Sequence, residues 1–252
     1  MKLPFEEVYL LNLVERQDRY DIMHKQFDAL NIKVKDYRVV KHPFFDVLAN
    51  KCLNNDTPIE IPSLYIGSGG VLSCTREHYT LIKSAYLRGV NSICIIEDDI
   101  SFLKNINILE DYFNNLPDNW DILRICSLRG KKEEEICKLY PNIKWIPEIN
   151  RAWGTGCYAL NRKAMEYIIK CLDMCYTPID FPLYMMNNKL FMDTIYQCKD
   201  VDIFINCYIP NIPICLCFDN ALDNDIRHFN EKTENDQDIL NLNINREDYF
   251  NY

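Results

Sequence analysis

The chain has 252 residues, 48% hydrophobic and 12% aromatic, which suits one sizeable α/β domain and is too apolar for a disordered tail. Its formal charge of −9 excludes a broad nucleic-acid footprint, which needs clustered Lys and Arg. No apolar run reaches the length that crosses a bilayer, and MKLPFEEVYLL lacks a secretory pattern because two glutamates interrupt it.

Val8 to Leu13 reads as a first strand. The stripe Tyr20, Met23, Phe27 and Leu30 then predicts a helix over 16–30, and Val34 to Val40 a second strand. Residues 41–66 carry three prolines and no sustained period, so they read as a long surface insertion. A helix is expected over 73–87, capped by Ser73 or Thr75, lined by Tyr79, Ile82 and Tyr86, and stopped by Gly89. Further on, a helix is expected over 106–116, strands over 120–127, 144–146 and 156–160, and a helix over 161–172. KKEEE at 131–135 reads as a solvated surface. After Asp180 the pattern loosens into short strands and proline-punctuated loops. This alternation argues for one α/β domain over 1–230 with a largely parallel sheet flanked by helices, followed by an acidic, Asn-rich and partly mobile tail over 231–252.

The segment SICIIEDDI (92–100) is the most informative. Ile93, Cys94, Ile95 and Ile96 are consecutive and β-prone, as in a strand buried on both faces. Glu97, Asp98 and Asp99 close it. Three neighbouring carboxylates repel one another and lose hydration, a cost that a divalent cation relieves. Ligands of open α/β sheets also bind beyond the carboxyl ends of the strands. The alternative, a solvated acidic loop after a core strand, stands beside this reading.

Twelve cysteines without a secretory pattern point to reduced thiols in a cytoplasmic compartment. Cys94, Cys126, Cys157 and Cys207 lie in apolar runs and serve as small core residues. Cys171/Cys175 and Cys215/Cys217 lack the paired spacing of a zinc site. Gly67, Gly69 and Gly70 fit neither G-x-G-x-x-G nor a P-loop, and read as a tight turn that admits a ligand close to backbone.

Four segments in succession resemble glycosyltransferase family 25, which includes lipooligosaccharide and collagen galactosyltransferases. They are VYLLNLVERQDR (8–19), the stretch from Gly67 to Ile100, GTGCYALNRKAMEYII (154–169) and TPIDFPLY (177–184). The resemblance implies an A-type glycosyltransferase fold, a Rossmann-like sheet flanked by helices. It implies a hexosyltransferase that takes galactose or glucose from a UDP-sugar and uses Mn²⁺ or Mg²⁺. The acceptor would be a saccharide or a hydroxylated protein, and the anomeric carbon would be inverted. In this reading Asp99 holds the cation directly, Glu97 either joins it or instead holds the ribose, and His228 is a candidate further ligand near the end of the chain. Asn12, Arg19, Ser73 and Asp98 flank the donor, and Asp180 of the Pro-x-Asp segment is the base.

Plainer roles stand beside several of these. Arg16 and Arg19 offset Glu15 and Asp18 at a helix start; Ser73 is a cap; Asp180 starts a turn between prolines. Trp153 either stacks on a sugar or packs in the core. One departure matters: the family carries Ser-His where this chain has Ser73-Cys74, and His78 comes one helical turn later. That change leaves open a catalytically weak or inactive nucleotide-sugar-binding module. A Mg²⁺-dependent nucleotidyltransferase is a third reading, weakened by the lack of a basic cluster near Glu97.

Overall fold

In the computed structural model of the chain, the described residues are 1–40, 69–128, 135, 137–148, 153–173, 179, 182–183, 204–217, 248 and 250. The expected insertion, Asp180, His228, the KE-rich run before Glu135 and most of the expected tail lie outside them. The strands are β1 (Glu7–Leu13), β2 (Lys35–Val39), β3 (Ser92–Glu97), β4 (Ile100–Phe102), β5 (Ile122–Leu128), β6 (Trp145–Pro147), β7 (Trp153–Asn161), β8 (Cys207–Pro210) and β9 (Cys215–Cys217). The helices are α1 (Gln17–Leu30), α2 (Gly69–Leu87), α3 (Ile106–Phe113) and α4 (Arg162–Asp173).

Seven strands form one sheet in the order β2-β1-β3-β7-β5-β8-β6, and β4 pairs with β9 beside it. β1 runs parallel to β2 and β3, and β5 parallel to β8. β7 is antiparallel to both β3 and β5, and β6 to β8. Five of the seven strands thus share one direction, as the alternating pattern predicts. The reversal of β7 brings its first residues, instead of its last, to the carboxyl end of β3.

Both faces of the sheet are covered. Val8, Leu10, Cys94 and Ile96 pack with Met23, Phe27 and Leu30 of α1 and Leu109 and Phe113 of α3. Tyr9, Leu11, Ile93 and Ile95 pack with Leu81, Ile82 and Ala85 of α2 and Ala164, Met165 and Ile168 of α4. This strict alternation follows from the two-residue period of a strand, and each fully buried Ile or Leu contributes about 1.5–3 kcal/mol. The β3 run is buried on both faces because a helix layer covers each.

Helix boundaries follow local chemistry. Asn31 takes φ 50° at the end of α1, and Ile32 N–H returns to Phe27 O at 2.8 Å, closing the helix in a left-handed turn. Gly89, at φ 82°, ends α2 where a side chain would be strained. Asn105 caps α3 by accepting from Asn107 and Ile108 N–H, and Asn161 accepts from Ala164 N–H at the start of α4. One expected cap is corrected: α2 opens at Gly69, so Ser73 and Thr75 sit inside the helix, and Gly69 and Gly70 are helical instead of a turn. Thr75 Oγ1 accepts from Ile179 N–H at 3.0 Å. Within the expected tail, Asp248 O accepts from Lys104 N–H and Phe250 N–H donates to Phe102 O at 3.2 Å. Phe250 also packs on the core.

A charged clamp ties the start of the sheet together. Glu7 of β1 accepts from Lys35 of β2, from the Tyr9 hydroxyl, and from Arg88 beyond α2 at 2.6 Å. Burial pushes the Glu7 carboxyl up, but these donors outweigh it and hold it at about 2. A depressed folded pKa means that the stabilisation is complete above about pH 5 and is lost as pH falls towards 2. Allowing for the exposed Lys35 and Arg88 partners, Glu7→Gln is expected to remove about 1–2 kcal/mol of that pH dependence. Denaturant titrations from pH 5 to pH 2 check it; equal slopes for both proteins would refute the clamp.

Candidate functional site

The same alternation that builds the core separates the three carboxylates. Glu97 continues the α2 side of β3 and Asp98 the α1 side; Asp99 follows in the turn before β4.

Asp98 is buried between β1 and α1. Its Oδ2 accepts from Asn12 Nδ2 at 2.6 Å and its Oδ1 from Arg19 Nη1 at 3.2 Å. Burial raises the Asp98 carboxyl, and Asn12 and Arg19 pull it back without cancelling the rise. Asn12 Nδ2 also donates to Arg16 O, and Asn12 Oδ1 accepts from Arg38 Nε at 3.1 Å, so β2 joins the network. Arg38 in turn lies over the Tyr20 ring, 4.4 Å from its centroid. The two arginines after β1 therefore divide: Arg16 pairs with Asp18 at the surface, as the plain reading has it, while Arg19 turns inward to Asp98.

Glu97 is held from the other side. Its Oε1 accepts from Thr155 Oγ1 of β7 at 2.6 Å and lies 3.0 Å from His78 Nε2 of α2. His78 Nδ1 meets the Tyr158 hydroxyl at 2.7 Å, with the two rings stacked. Burial pushes Glu97 up, but His78 and then Thr155 more than offset it, leaving the carboxyl below its ordinary value. His78 occupies a core position of α2, in line with Leu72, Thr75, Ile82 and Ala85.

Asp99 is the exception. Its Oδ1 is buried and has no hydrogen-bond partner among the described residues. Burial first, then the charges of Glu97 and Asp98, drive its carboxyl well above the ordinary range, and Arg19 offsets only part of this.

The structure thus brings Asn12, Arg19, Glu97, Asp98 and Asp99 to one end of the sheet. Ser73 lies buried one turn into α2, where its hydroxyl is no cap. Gly154 takes φ 93° at the start of β7, and its carbonyl accepts from buried Arg124 at 2.6 Å. Sequence reasoning gave no role to Thr155 or Tyr158, although both stand in the segment GTGCYALNRKAMEYII that carries the family resemblance. It also passed over the pairing of Cys74 with His78, although four residues apart on a helix places two side chains on one face.

Comparison with known proteins follows the same segments. The profile of glycosyltransferase family 25 (LPS biosynthesis protein) matches residues 5–183. Human procollagen galactosyltransferase 2 is 25% identical over 197 residues, covering 75% of this chain and 31% of that protein. The bovine protein named probable inactive glycosyltransferase 25 family member 3 is 24% identical over 143 residues, covering 53% of this chain and 24% of that protein. The chain spans about a third of the length of the curated relatives it matches first. A solved glycosyltransferase involved in glycosylation of the PBCV-1 major capsid aligns with 93% of this chain and 98% of its own, at 8% identity and a TM-score of 0.40.

The Asp98 network makes a stability prediction. Arg19→Met leaves a buried carboxylate without its guanidinium and is expected to cost about 3 kcal/mol in chemical denaturation. Asp98→Asn added to Arg19→Met is expected to recover part of that loss. A double variant no more stable than Arg19→Met would sink the pairing.

Proposed function

The chain belongs to glycosyltransferase family 25, and on that premise we propose that it transfers a hexose, galactose or glucose, from a UDP-sugar to a hydroxyl of a saccharide or hydroxylated protein. The observation that carries this reading is Asp99: a buried carboxylate oxygen without a donor among the described residues, beside two further carboxylates, at the carboxyl end of a central strand. That donor set is all oxygen and suits a hard divalent cation, Mn²⁺ or Mg²⁺. Asp99 is the direct ligand. Glu97 directs Oε1 to His78 and Thr155, so any share it takes in the same ion falls to its other oxygen. When bound, such a cation offsets the charge of the departing diphosphate as a Lewis acid.

The remaining roles belong to the chain itself. Arg19 and Asn12 fix Asp98, and through it the turn that carries Asp99. Asn12 holds Arg38 next to that turn, and the exposed Arg38 offers a cationic edge where a uracil and its ribose would lie. Asp180, beyond Ile179, remains our candidate for the base that takes the proton of the acceptor hydroxyl in an inverting, in-line displacement. His228 remains the candidate further ligand. We place the protein in a reducing, cytoplasmic compartment, supported by Cys94, Cys157, Cys207 and Cys215, buried thiols that are in no disulfide. No described helix is long and apolar enough to cross a membrane.

A second reading has one observation in its favour: Cys74 stands where the family carries histidine. In that case the chain binds the nucleotide-sugar without turning it over, and Cys74→His is expected to raise the rate.

The primary test is donor hydrolysis. Incubation with Mn²⁺ and a panel of UDP-hexoses is expected to release UDP slowly without acceptor. Asp99→Asn is expected to lower that rate at least about 100-fold, the scale on which a lost charge-stabilising group acts. Wild-type turnover by Asp99→Asn would overturn the assignment of Asp99.

A further inference from the structure

On the α2 side of β3 the fold assembles a second donor set, different in kind from Asp99. Cys74 and His78 lie one helical turn apart, and with Glu97 they offer a sulfur, an imidazole nitrogen and a carboxylate oxygen, all within 4.8 Å of one another. We propose that Cys74, His78 and Glu97 form a binding site for Zn²⁺ or a similar borderline-soft divalent ion, distinct from the hard-cation role of Asp99.

The geometry is close to what such an ion needs. A tetrahedral Zn²⁺ with bonds of about 2.0–2.3 Å sets its ligand atoms roughly 3.3–3.6 Å apart. His78 Nε2 and Glu97 Oε1 are already 3.0 Å apart, so they need only separate slightly around an ion. Bringing in Cys74 takes about an ångström of side-chain movement, which a half-buried residue on a helix face can make by rotating about χ1.

The imidazole is also oriented as metal-binding histidines are. Its second nitrogen, Nδ1, meets the Tyr158 hydroxyl at 2.7 Å, and the stacked ring leaves little freedom to turn. Without an ion, Nε2 faces Glu97 and Nδ1 faces the Tyr158 hydroxyl. With one, Nε2 gives its lone pair to the ion and Nδ1 keeps its contact with the Tyr158 oxygen. The Cys74 thiol releases its proton to solvent and binds as thiolate. Thr155 keeps its bond to Glu97 throughout.

Sulfur and nitrogen ligands select Zn²⁺ or Co²⁺ over Mg²⁺ and Mn²⁺. Three protein ligands leave a fourth position for water or a substrate oxygen. Cys74 and Glu97 are half-buried while His78 is fully buried, so the ion enters from the Cys74 and Glu97 side.

Co²⁺ titration of the full chain, with no nucleotide-sugar present, tests this independently of the transferase reading. One equivalent is expected to give a near-ultraviolet thiolate-to-cobalt band and visible bands of four-coordinate Co²⁺, both erased by Zn²⁺ but not by Mg²⁺. Cys74→Ser is expected to lose the thiolate band with an unchanged circular dichroism spectrum, and Asp99→Asn to keep it. Tyr158→Phe is expected to weaken Zn²⁺ about 10–100-fold in a competition assay. Absence of the band in the wild type, or its persistence in Cys74→Ser, would overturn the site. Loss in Asp99→Asn would merge it with the donor cation site and overturn its independence. A failed donor-hydrolysis assay would touch none of these outcomes.

Discussion

Three adjacent carboxylates at the buried end of a strand repel one another, and in this protein no two have the same surroundings. Glu97 is met by an imidazole and a hydroxyl, and Asp98 by a guanidinium and an amide. The Asp99 oxygen has no donor among the described residues. Like charges within a few ångströms in a low-dielectric setting repel strongly, so leaving all three to one partner would cost several kcal/mol. The period-two geometry of β3 solves the problem by sending Glu97 and Asp98 to opposite helix layers. Around that division the local architecture is arranged: α1 must deliver Arg19 to one face, and α2 must deliver His78 to the other.

The reversal of β7 serves the same end. A parallel strand beside β3 would bring the end of β7 to this edge; the antiparallel strand brings its beginning, with Thr155 against Glu97 and Tyr158 one pleat deeper against His78. Gly154 allows the sharp entry to that strand through a backbone angle that other residues resist. Of the polar groups around Glu97, Thr155 therefore comes from the sheet itself and His78 from the helix packed on it.

A cysteine in place of a histidine at position 74 reads from the sequence as a loss. In three dimensions Cys74 shares a helix face with His78, and the pair points at Glu97. The histidine one turn later does reach the acidic strand. By the family resemblance the atom at this edge of the site is sulfur in place of nitrogen, and the ion class we propose for it follows from that atom.

The helices, the longer strands and the acidic end of β3 were legible in the sequence because each rests on a local period: runs of apolar residues, stripes at helical spacing, and stop signals such as Gly89. The start of α2 was misread, since two glycines look like a turn until the helix they open is seen packed on the sheet. The inward turn of Arg19, the reversal of β7 and the Thr155 and Tyr158 contacts were not written in any short segment. They join residues up to 86 positions apart, as Asn12 and Asp98 show, and depend on which strand lies beside which. The sequence determined that a cluster of negative charge would end a buried strand; only the packed sheet decided which charge met which partner, because that choice is made by neighbours in space.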